Sequence, residues 1–86
     1  MGTLAITNTD ASSSTKIVFI YKDGTNRSVD VVLPAASSIY KWSAAMEDVG
    51  RFVSTLDQKP VESVVYIQGT FTQIYSASDA EEIFGL

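Results

Sequence analysis

The sequence predicts an α+β fold: a two-layer sandwich in which one main helix covers an antiparallel-rich sheet of four to five strands, with a short helix at the C-terminal end. Three observations carry this. Two β-rich regions, Lys16 to Leu33 and Val61 to Tyr75, each place a glycine turn between apolar runs. Between them, apolar residues from Ile39 to Leu56 recur at the helical period. The length, 86 residues, suits one domain spanning 1–86. A chain of this size buries only about 60–65% of the surface that it exposes when unfolded, so its core is small.

The elements follow in chain order. Thr3-Leu4-Ala5-Ile6-Thr7 alternates weakly and reads as a short leading edge strand. Asn8 to Thr15 is polar and rich in Ser and Thr, and reads as a loop. Ile17-Val18-Phe19-Ile20-Tyr21 is a β-branched and aromatic run, and Ser28 to Leu33 is its partner. Asp23-Gly24 lies between them. A three-residue loop, Lys22-Asp23-Gly24, pairs Tyr21 with Thr25 and puts Gly24 in the left-handed region. Ile17, Phe19 and Tyr21 then share a face with Val29, Val31 and Leu33. A two-residue loop would shift the pairing by one and exchange the faces. The first register is preferred because it gathers the larger side chains on one face.

Pro34 stops the second strand. A helix follows from about Ser38 to Leu56, capped by Ser37 or Ser38. Its apolar positions are Ile39, Trp42, Met46, Val49, Phe52, Val53 and Leu56. Ile39, Trp42, Met46, Val49 and Val53 are expected to pack on the sheet, and Gly50 to let the helix lie close to it. Asp57-Gln58-Lys59-Pro60 ends the helix. In the second β region, Gly69-Thr70 fits a type II′ hairpin turn; the alternative is one bent strand with a bulge at Gly69. Ser78-Asp79-Ala80-Glu81 has the form of a capping box and opens a helix of about two turns. This order, hairpin, helix, hairpin and short helix, resembles that of β-grasp folds. The resemblance is one of element order, with no sequence motif, so no residue role follows from it.

The chain has no histidine and no cysteine. That removes the usual general base, the commonest metal ligand and the thiol nucleophile. Zinc sites of the finger or protease type and Ser-His-Asp or Cys-His mechanisms are excluded. No metal or other cofactor is expected. Asp30 and Glu62 are strand carboxylates with nothing to bring them together, and they read as solvated positions. Asp23-Gly24-Thr25-Asn26 and Gln68-Gly69-Thr70 each hold a single glycine and match no phosphate loop. Strand aromatics Phe19, Tyr21, Tyr66, Phe71 and Tyr75 suggest base stacking, but the basic residues are few and dispersed. The net charge of −4 also argues against duplex binding. Trp42 reads as the core centrepiece. The chain shows no signal peptide and no run of about 20 apolar residues, so a cytoplasmic location off the membrane is the default.

The strands are more hydrophobic than one helix can cover. Val18, Ile20, Val32, Val64, Tyr66 and Ile74 are assigned to a second sheet face, and none is charged. An uncovered apolar patch of this kind marks an interface. In the alternative, the leading strand and the C-terminal helix fold back over it. The expected function is a non-enzymatic protein-binding module of regulator or inhibitor type. It self-associates, as a homodimer or higher oligomer, or docks a protein partner through that face. A small viral inhibitor of a host protein has this make-up, as does a regulatory subunit. The alternatives are a structural subunit of a larger homo-oligomeric or viral assembly, and a weak binder of single-stranded nucleic acid.

Overall fold

A computed structural model describes residues 12–34 and 39–86 of the chain. The elements are β1 (Ser12–Tyr21), β2 (Asn26–Pro34), α1 (Ile39–Asp57), β3 (Val61–Gln68), β4 (Phe71–Ser76) and α2 (Ala77–Phe84). The strands form one antiparallel sheet in the order β2-β1-β3-β4. Two antiparallel pairings through β1 leave β2 and β3 running the same way on either side of it. A helical crossover is the natural link between two such strands, and α1 supplies it.

The first hairpin has the expected register. The Tyr21 N–H donates to the Thr25 carbonyl at 2.9 Å, and the Gly24 N–H donates to the Tyr21 carbonyl at 3.0 Å. Gly24 has a φ of 90°, and the Asp23 carboxylate accepts from the Thr25 N–H at 2.9 Å. Ile17 stands opposite Val29, and Thr15 opposite Val31. The second hairpin pairs Gln68 with Phe71 across Gly69-Thr70, and the φ of 61° at Gly69 is the positive value that the first central turn position demands.

Other expectations are corrected. Ser12 to Thr15 is strand, not loop. Its polar composition is overridden by pairing: Ser12, Ser13 and Ser14 pair with Pro34, Leu33 and Val32 of β2, and Thr15 pairs with both Val31 and Gln68. The Thr15 hydroxyl, fully buried, accepts from Gln68 Nε2 at 3.0 Å. The cap of α2 is Ser76 and not Ser78: its hydroxyl accepts from the Asp79 N–H at 3.3 Å, because β4 runs straight into the helix. The reading of Thr3 to Thr7 as a strand and the choice of Ser37 or Ser38 as a cap lie outside the described residues.

Both helices lie on one face of the sheet. α1 approaches β2, and α2 lies over β3 and β4. Beneath them Ile17, Phe19, Tyr21, Val64, Tyr66 and Tyr75 meet Trp42, Met46, Val53, Ala80 and Phe84. The Phe84 ring packs edge-on to Phe19 at 5.3 Å and to Tyr75 at 5.9 Å. Trp42 packs edge-on to Tyr66 and donates its indole N–H to the Tyr66 hydroxyl at 3.2 Å. Ile39, expected against the sheet, is exposed, as are Phe52 and Leu56. The apolar stripe of α1 is therefore wider than the surface beneath it.

Gly50 does not bring α1 to the sheet. It brings α1 to α2. A Cβ built on Gly50 would stand 1.7 Å from the Phe84 carbonyl oxygen, which is backbone and cannot swing aside. Gly50→Ala therefore sets two effects against each other. Helix propensity favours alanine by about 1 kcal/mol. Overpacking costs about 1–3 kcal/mol, and occasionally more. We expect the clash to win and the urea midpoint to fall; a raised midpoint would mean that α2 shifts away freely.

Candidate interaction surface

The pleat sends alternate residues of each strand to the side away from the helices. Register then fixes the rows. Ser28, Val18, Val65 and Ile74 lie side by side across the sheet. Asp30, Lys16, Ile67 and Thr72 form the next row, and Asn26, Ile20, Ser63 and Ser76 the row on the other side. Val18, Ile20, Val65, Ile67 and Ile74 thus make a connected apolar patch. The two charged residues in these rows, Lys16 and Asp30, stand opposite each other. Val18, Ile20, Val65 and Ile67 are half-buried by their neighbours, whereas Ile74 is 65% exposed and Val32, beside Ser14, is 69% exposed.

Of the six residues assigned to this face from sequence, Val18, Ile20, Val32 and Ile74 lie on it. Val64 and Tyr66 do not: both are fully buried under the helices. Val64 pairs with Phe19 and Tyr75, and Tyr66 pairs with Ile17, all on the covered side. Val64-Val65-Tyr66-Ile67 is apolar on both sides, so its own pattern does not reveal its parity. Sequence reasoning missed Val65 and Ile67, which take the vacated places. A signal was available. A two-residue turn at Gly69-Thr70 puts Tyr66, Phe71 and Tyr75 on one side, and gathering the large aromatics there leaves Val65, Ile67 and Ile74 on the other. The C-terminal helix does not compete for the open face, since α2 lies on the covered one.

A polar cluster closes the opposite side of the molecule. Asp57, at the end of α1, accepts from Arg27 twice, Nη2 to Oδ1 at 2.7 Å and Nε to Oδ2 at 3.0 Å. The Tyr21 hydroxyl also donates to Asp57 Oδ2. Lys59 bridges Asp23 Oδ2 at 3.1 Å and the Thr25 hydroxyl at 2.9 Å, and its Nζ stands 5.5 Å from the Tyr21 ring centre. Burial, and then Asp57, push the Tyr21 hydroxyl well above its ordinary range, so it stays protonated. Arg27, then Tyr21, hold the Asp57 carboxyl down at about 2. The cluster's donors and acceptors are turned on one another, and it clamps α1 to the first hairpin. Among the described residues, no group of three acidic side chains converges as metal ligands would.

Comparison with protein-family models, with curated proteins and with solved structures gave no match, so the geometry alone carries the functional reading.

The clamp has a signed acid dependence. The folded-state value for Asp57 lies below the ordinary 3.8, so the clamp stabilises fully above about pH 4 and is lost as the pH falls toward 2. Asp23, held at about 2 by Thr25 and Lys59, adds to the same slope. Asp57→Asn should lower the urea midpoint at pH 7 and flatten its decline between pH 4 and pH 2. An acid profile identical to the wild type's would show that Asp57 contributes nothing to folding.

Proposed function

We propose that the protein is a non-enzymatic interaction module that associates with another protein surface through its open sheet face. The observation that carries this reading is the placement of both helices on one side. Val18, Ile20, Val65, Ile67 and Ile74 then lie together on a side that no described element covers. A one-sided antiparallel sheet with a wet outer face alternates apolar and polar residues. Here the middle of the outer face is apolar, and its two charged residues, Lys16 and Asp30, stand opposite each other in one row toward its end. Such a surface suits flat packing against a second apolar layer.

The base-stacking reading loses its support. Phe19, Tyr21, Tyr66 and Tyr75 are buried beneath the helices, half-buried Phe71 packs edge-on to Tyr66 on the same side, and the rows of the open face hold no aromatic residue. A structural subunit remains the second reading. A further apolar strip on α1 favours it, since two separate surfaces permit a particle larger than a pair. No helix among the described residues is long and apolar enough to cross a membrane.

The test pairs Ile20→Lys with Ile67→Glu. Both residues are half-buried on the open face, so the fold should tolerate the change. Hydroxyl-radical labelling of Ile67 and Ile74 should fall when the wild-type protein assembles or meets its partner in native extract. The double variant should weaken that association by more than tenfold while keeping its helical circular dichroism. A wild type that stays monomeric at high micromolar concentration and captures nothing defeats the proposal.

A further inference from the structure

The sheet has a second unfilled demand, at the β2 edge. β2 pairs with β1 on one side and with no other described strand. The Tyr21–Thr25 hydrogen bond fixes which of its backbone groups point outward. Directly opposite residues alternate between bonded and non-bonded pairs. Arg27, Val29 and Val31 therefore turn their N–H and C=O toward β1, while Asn26, Ser28, Asp30 and Val32 turn theirs away. β4, the other edge, is only six residues long and runs directly into α2. β2 has nine residues and no lysine. An open row of backbone donors and acceptors is satisfied by another extended strand.

α1 supplies a roof for that strand. At about 100° per residue, Gly50 and Glu47 mark the side of α1 that faces α2. Met46 and Val53 mark the side on the sheet. Phe52 and Leu56 then fall on the flank turned away from α2, above the β2 edge. They are 58% and 50% exposed, and half-buried Ala45 and Val49 continue the strip inward.

We infer that the β2 edge takes β2 of a second copy, antiparallel about a two-fold axis. The sequence of β2 selects one register. A regular sheet pairs residues of the same pleat parity, so the two-fold must relate a residue to itself. Centring on Asp30 sets two carboxylates face to face and brings Pro34, which has no N–H, opposite Asn26. Centring on Val31 sets Pro34 opposite Ser28. Centring on Ser28 or on Val29 leaves Pro34 unpaired, and of these Val29 gives the longer ladder, Asn26 to Val32. Asn26 then faces Val32, Ser28 offers its hydroxyl to Asp30, and Val29 meets Val29 of the second copy on the helix side. The axis stands perpendicular to the sheet, so helices of both copies share one side and the Phe52–Leu56 flanks meet over the joint. The two open faces become one continuous surface. This interface is separate from the open face and stands or falls without it.

The absence of native cysteine makes the test clean. Val29 faces its copy in a non-hydrogen-bonded pair, where Cα atoms are about 4.5 Å apart, within disulfide range. Val29→Cys should form a covalent dimer under mild oxidation. Val31→Cys, which faces Arg27, should not. Phe52→Glu with Leu56→Lys, at exposed sites, should raise the dimer dissociation constant by more than tenfold in sedimentation. Ser28→Pro removes an outward N–H without touching the β1 ladder and should do the same. The open-face double variant should leave this dimer intact. Three outcomes would overturn the inference: a wild type that remains monomeric at high micromolar concentration, cross-linking by Ile20→Cys in place of Val29→Cys, or amide protection at Ser28 and Asp30 in a monomer, which would place another segment of the same chain on the edge.

Discussion

The approach of Gly50 to the Phe84 carbonyl holds the covered layer together. α1 and α2 touch where one has no side chain and the other ends. The contact carries the Phe84 ring between Phe19 and Tyr75, which belong to the central strand and to an edge strand. The turn after it is fixed as well. Gly85 adopts a left-handed φ of 65°, and the Leu86 N–H returns to the Glu81 carbonyl at 3.0 Å. A small core with no disulfide depends on such close packing, because there is little other apolar surface to bury. Spreading the helices by the width of a methyl group would loosen Phe84 from both ring partners together.

The hydrophobic layer and the Asp57 clamp anchor α1 in different ways. Met46 and Val53 are fully buried against the sheet and hold its middle. Arg27 and Tyr21 hold its last turn by a charged, two-pronged grip on one carboxylate. Apolar packing sets the distance of the helix from the sheet but does little to fix its slide along the axis. A bidentate pair has a preferred direction, so it fixes the slide. That placement determines where Phe52 and Leu56 emerge on the exposed flank of α1.

Much of the fold was legible in the sequence, for reasons that particular residues show. Asp23-Gly24 and Gly69-Thr70 have few turn geometries open to them, so both hairpins could be read locally. The α1 period was plain because Trp42, Met46 and Val53 recur on one stripe. What failed was information held elsewhere in the chain. Ser12 to Ser14 have no strand signal of their own, and they become strand by pairing with Pro34, Leu33 and Val32 of β2. Val64 and Tyr66 lie on the covered face and not the open one, and a run apolar on both sides does not state its parity. The true contact of Gly50 lies with a residue at the far end of the chain. Four of the six residues assigned to the open face are on it, and the helical period puts Phe52 and Leu56 in the apolar stripe of α1 without showing that they stand exposed.

The central position of β1 has a consequence for how the chain acquires its structure. One neighbour, β2, is joined to it by a tight turn. The other, β3, arrives only after the whole of α1. A lone two-stranded hairpin is at best marginally stable in water. The β1–β2 hairpin thus has no durable structure of its own until β3 closes a long loop against β1, and non-local closure of this kind slows folding. During synthesis the exposed strand Ile17-Val18-Phe19-Ile20-Tyr21 must wait, with both faces apolar and one edge unpaired, for the residues that complete it. The interval between the emergence of β1 and that of β3 is when this sequence is most open to misassociation.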